Sequence, residues 1–150
     1  MTVPKGWVKE EIPPSATAPV AVFKIPRADP GSEDSIVRIT HEPGMKGKDM
    51  VDRSIDLWVS QVAKPDGSSM TRADAKIATS QLDSIRLTIV DLTGTVKMSA
   101  REAGKPGRRM IAAILDHPQG PHFIVAVGPT ASMQKWASTV DGFLRSAKAE

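Results

Sequence analysis

The chain has 150 residues, of which 40% are hydrophobic and 25% charged, the size and composition of one globular domain rather than a disordered segment. It contains no cysteine, tyrosine or asparagine, which excludes disulfides, thiolate metal centres, iron–sulfur clusters, a cysteine nucleophile and Asn-linked glycans. A net charge of +3 is an ordinary solubility surplus and does not by itself argue for nucleic acid as a partner.

The opening residues Met1-Thr2-Val3-Pro4-Lys5 carry no apolar run, so no export signal is expected, and the compartment stays open between cytoplasmic and extracytoplasmic. No stretch approaches the roughly 18 apolar residues of a membrane-spanning helix. Residues 6–12 read as a short strand in which Trp7 anchors the start of the chain. Residues 19–25 hold the β-favouring Val20, Val22 and Phe23, and Ala28-Asp29-Pro30-Gly31-Ser32 reads as a turn. Residues 36–40 then return, with Val37 and Ile39 on one face and Arg38 on the other, as the second strand of an antiparallel hairpin.

After Pro43-Gly44 the period changes. Val51, Ile55, Trp58 and Val62 recur at helical spacing, Met50, Leu57 and Val59 widen that stripe, and Asp49 is placed to cap the helix. Asp52, Arg53, Asp56 and Ser60 fall on the opposite, solvent-facing side. Pro65-Asp66-Gly67-Ser68-Ser69 is expected to end the helix. Residues 85–98 alternate as a long strand in which Gly94 marks a bulge, and residues 110–115 are apolar enough for a central strand covered on both faces. The turn His117-Pro118-Gln119-Gly120-Pro121-His122 leads into a returning strand at 123–127. A second helix follows, with Thr130 as cap and a stripe of Trp136, Val140, Phe143 and Ala147 flanked by Met133 and Leu144. Gly142 falls on its polar side. The expected fold is α+β: a central antiparallel sheet flanked by two main amphipathic helices, in one domain spanning 1–150.

Several local sequences, in this order, carry a resemblance. They are Gly6-Trp7, Leu57-Trp58-Val59-Ser60-Gln61, Asp91-Leu92-Thr93-Gly94-Thr95, Gly128-Pro129 and Phe143-Leu144-Arg145-Ser146. With them the chain resembles the Mog1/PsbP-like proteins, and more narrowly the small bacterial, lipoprotein-type members of that group. Leu57 stands where members commonly carry Arg before the helix tryptophan. The resemblance implies a sheet with helices on its faces and a role in binding another protein, with no shared catalytic site and no residue role to transfer.

Candidate chemistry is sparse. The segment 97–109 holds Lys97, Arg101, Lys105, Arg108 and Arg109 against one acid, Glu102, and Gly104, Pro106 and Gly107 mark it as a loop. Two readings stand for it: a site for an anion or acidic partner, drawn by clustered positive charge, or a solvated loop. The aromatic residues Trp58, Trp136 and Phe143 sit on core-facing stripes, which removes the stacking platform that single-stranded nucleic acid needs. Gly44-Met45-Lys46-Gly47-Lys48-Asp49 has too few residues between its glycines for a P-loop and an acid where the hydroxyl belongs. His117 and His122 flank a turn and could share a metal with His41 if the fold brought it close, although turn histidines are more commonly just solvated. Asp52 and Asp56 read as a solvated pair softened by Arg53 and Lys48. No serine lies in a nucleophile elbow. No cofactor, metal or nucleic acid is therefore expected. The leading expectation is a non-catalytic protein-binding or accessory domain. The alternative is a small-molecule or anion binder, or a hydrolase, using a pocket between sheet and helices.

Overall fold

Apolar and β-branched side chains at alternate positions need a pleated surface to bury them. In the computed structural model, which describes residues 3–11, 20–27, 33–43, 49–82, 84–97 and 105–146, they find it in one eight-stranded sheet. The strands are β1 (Val8–Lys9), β2 (Ala21–Ile25), β3 (Ser35–His41), β4 (Val62–Ala63), β5 (Lys76–Leu82), β6 (Ile85–Val96), β7 (Lys105–Asp116) and β8 (His122–Pro129). The helices are α1 (Asp49–Ser60) and α2 (Thr130–Arg145). Every pairing is antiparallel. The order runs β1-β2-β3-β8-β7-β6, and the outer side of β6 is shared between β5, along Ile85–Asp91, and β4, at Thr95 and Val96. This is the expected α+β sandwich of sheet and helices.

Each face of the sheet has its own core. On one, Ile85 and Leu87 of β6 and Ile111, Ala113 and Leu115 of β7 pack with Met133, Val140, Phe143 and Leu144 of α2. On the other, Val90, Leu92, Met110, Ala112 and Ile114 pack with Met50, Ile55, Trp58 and Val59 of α1. Trp58 is only 5% exposed. Trp136 is half-buried and its indole N–H donates to the carbonyl of Pro26 at 2.9 Å. Trp7 closes the α2 core against Phe143 and Phe23, with ring centroids 5.0 and 6.2 Å apart.

Some boundaries differ from the expected ones. The first helix stops at Ser60, and Val62 leaves the helical stripe to pair with Val96 in β4. Leu57, expected to widen the core face, is 56% exposed. The 65–69 segment is the turn after β4, where Gly67 adopts a positive φ of 89°. Asp49 is the first helical residue. Pro129 rather than Thr130 caps α2, and the Thr130 hydroxyl donates instead to the carbonyl of Gly107 at 2.8 Å. β7 begins at Lys105, so residues 105–109 belong to a strand, not a loop. The pairing of β6 with β7 shifts register between Gly94 and Val96, as the bulge at Gly94 requires. The turn at 28–32, residues 44–48, Met98, Glu102, Gly104 and Ala147 lie outside the described residues.

Candidate functional site

β5 is a strand that apolar alternation does not announce: Ile77, Ala78, Thr79 and Gln81 are all exposed. Its pairing with β6 extends the sheet past the area that α1 covers. α1 descends toward β4, so the opposite end of that sheet face is left without a helix. There a cleft of about 820 Å³ opens between the first turns of α1 and the sheet. Met50, Val51 and Ile55 form its apolar side, and Thr79 and Thr88 its floor. Arg86, Asp116 and the turn residues His117, Pro118, Gly120 and Pro121 close the remaining side. Arg86 and Asp116 are register partners on β6 and β7, which puts both side chains on the cleft face. Neither makes an ion pair among the described residues, so both charges are available to the cleft.

The three histidines of the chain meet at the end of the sheet that carries the β7–β8 turn, and of them His117 lines the cleft. His41 at the end of β3 and His122 at the start of β8 are register partners, and their rings stack with centroids 4.2 Å apart and planes 8° from parallel. His117, in the β7–β8 turn, lies edge-on to His122 at 6.1 Å. The imidazole Nε2–H of His41 donates to the carbonyl of Gln119 at 3.3 Å, and the Gln119 N–H donates to Nδ1 of His117 at 3.2 Å. Burial first, then the neighbouring imidazoles of His41 and His117, hold His122 below the usual histidine range. The fold thus brings together the trio that the sequence could only suggest. Among the described residues, though, no set of three or more His, Cys, Asp or Glu side chains is arranged to hold a metal ion.

The basic segment is placed differently along its length. Lys97 is exposed just after β6, Lys105 opens β7, and Arg101 lies outside the described residues. Arg108 is buried and its Nη2 reaches Glu33 at 3.0 Å. Arg109 makes a two-pronged pair with Asp91, through Nε at 2.9 Å and Nη2 at 2.6 Å. Two of the five cations are therefore drawn into the fold by carboxylates far away in sequence. On α1, Asp52 and Asp56 are bridged by Arg72, whose Nε reaches Asp56 at 2.8 Å and whose Nη1 reaches Asp52 at 3.2 Å. That guanidinium was not expected to neutralise them. Arg86, Thr88 and Asp116 escape sequence reasoning because the cleft they line exists only once β5 is in the sheet.

Among the described residues no helix is long and apolar enough to cross a membrane. The chain matches no known family profile and no curated protein. Among solved structures it is similar to PA94 of Pseudomonas aeruginosa, a protein of unknown function suggested to be a regulator, with a TM-score of 0.62 and 10% identity. The likeness covers 99% of this chain and 89% of that one. At that identity it shows a shared fold alone.

Proposed function

We propose that this chain is a non-catalytic protein-binding or accessory domain, and the observation that carries the reading is the open edge of β5. This seven-residue strand is hydrogen-bonded to β6 along one side, and among the described residues no other strand pairs with it. The opposite edge of the sheet, β1, is only two residues long. Sheet edges are ordinarily guarded by charges, prolines or bulges. From Ile77 to Leu82, β5 has no charged residue and no proline, and Ile77 is 41% exposed. An extended segment of a partner protein would continue the sheet there, its backbone pairing along the outer side of Lys76–Ser80 and alternate side chains lying over the cleft. Kinship with the Mog1/PsbP-like proteins is part of the same proposal. Its support is the order of the matching motifs and a helix on each face of one antiparallel sheet.

Ile77→Lys places a charge on the open edge, at a side chain that lines the cleft but belongs to neither core. The variant is expected to keep the wild-type melting temperature and to lose roughly tenfold or more in affinity for a protein recovered by pull-down with the wild type. β5 amides should gain hydrogen-exchange protection in the wild-type complex alone. Equal capture by the variant, or no added protection of β5, overturns the reading.

The cleft favours a second reading, a binder of small molecules or anions, since Arg86 faces it unpaired among the described residues. A ligand held there would be released by Arg86→Ala, which leaves the β5 edge unchanged. A strand-adding partner predicts greater sensitivity to Ile77→Lys.

A further inference from the structure

We propose that His41, His117 and His122 form an acid-released clasp that holds the β7–β8 turn over the end of β3 and thereby fixes one wall of the cleft. The turn is seated closely. Gly120 has a φ of 112°, and a Cβ on it would come within 2.5 Å of Pro43 Cα. The Glu42 N–H donates to the carbonyl of Pro121 at 3.0 Å, and the Gly120 N–H to that of His117 at 2.9 Å. The clasp therefore ties the β7–β8 turn, whose His117, Pro118, Gly120 and Pro121 line the cleft, to the end of β3.

Two contacts of the clasp depend on neutral imidazole: the bond to Nδ1 of His117 and the His41–His122 stack. His117 accepts the Gln119 N–H through Nδ1, so its own proton is on Nε2. A second proton would go to Nδ1 and set two donors against each other. The His41–His122 stack is an aromatic contact when neutral and a repulsion between like charges when both rings are protonated. No direct ion pair offsets that charge among the described residues. Glu42 follows His41 on β3 and Asp116 precedes His117 on β7, but neither carboxylate is ion-paired with an imidazole among the described residues. Arg86 of β6 lies on the cleft side, and Arg145 at the end of α2 is held by Asp141 and Ser80. β8 carries no other ionisable residue near His122.

The direction follows from His122, whose folded pKa lies below its unfolded one. The unfolded chain binds more protons between the two values, so the clasp's contribution is complete above about pH 6.5 and is lost as pH falls through the lower value. The turn opens before the core does, because it is tied by a few exposed hydrogen bonds while the middles of β6 and β7 are packed against a core on each face.

Hydrogen exchange on the free protein tests this, since no partner is involved. Between about pH 7.5 and pH 5.5, after correction for intrinsic rates, the Gly120 and Glu42 amides are expected to lose protection severalfold relative to β6 amides. In His117→Gln/His122→Phe, where Gln keeps an acceptor and Phe keeps the stack, the relative loss should vanish. His117→Gln alone should reduce it at Gly120 and serves if the double variant folds poorly. The proposal fails if the wild-type turn amides follow β6 at both pH values, or if the variants retain the full acid response.

Discussion

Gly94→Ala is expected to cost about 3 kcal/mol or more, whereas the same chemical change at Gly142 should stabilise the protein by about 0.5–1 kcal/mol. A Cβ at Gly94 would overlap the carbonyl oxygen of Ala63 and come within 3.2 Å of a Val62 methyl. The obstacle is largely backbone, which cannot rotate aside. Relief requires β4 to withdraw from β6 and open the ladder at Val62↔Val96 and Ala63↔Thr95, next to the α1 core that Val62 and Val96 help fill. At Gly142 nothing lies within 4 Å of the added methyl, and the residue sits inside α2. Alanine there restricts the unfolded chain and suits the helix. Thermal unfolding should separate the two by about 8–16 °C, at roughly 2–4 °C per kcal/mol for a domain of this size. Similar melting temperatures would mean that β4 does not press on Gly94 as the structure has it.

The same contrast explains what could be read from the sequence. β6, β7 and β8 are legible because each is buried on at least one face along its whole length, so Ile85, Leu87, Met110–Leu115 and Ile124 leave a pattern. Gly94 is legible as a bulge because a glycine inside such a run has little other reason to be there. β5 leaves no pattern, since both of its faces meet solvent, and the cleft it helps to form was therefore out of reach. The histidines were half visible. Their placement around a turn announces His117 and His122, but His41 joins only through the β3–β8 register, which is set by side chains elsewhere in those strands. Arg108 and Arg109 looked like loop charges beside Pro106 and Gly107 because their counter-charges, Glu33 and Asp91, lie 75 and 18 residues away.

Arg109→Met is expected to lower stability by about 2–3 kcal/mol, and Asp91→Leu by a similar amount, while the double variant should return to within about 1 kcal/mol of wild type. The Arg109 and Asp91 side chains are only 20% and 19% exposed, so removing one strands the other's charge in a poorly hydrated setting. Full burial would cost more; the remaining contact with water lowers the figure. Hydrogen bonds from the guanidinium to Asp91 push the Arg109 pKa further up, so the cation persists at any ordinary pH and a lone Arg109 cannot escape by losing its proton. Asp91 is the register partner of Ile111, within the α2-facing core, where Leu and Met can pack together once both charges are gone. Urea unfolding of the four proteins measures the coupling directly, and additive losses would show that the two residues do not act as a pair. Retention on heparin provides the complementary measurement. Because Arg109 is already committed to Asp91, its replacement should leave the eluting salt concentration unchanged, whereas neutralising the exposed Lys97 should lower it. A lowered elution point for Arg109→Met would mean that the guanidinium exchanges Asp91 for an external anion, and the basic segment would then act as one surface.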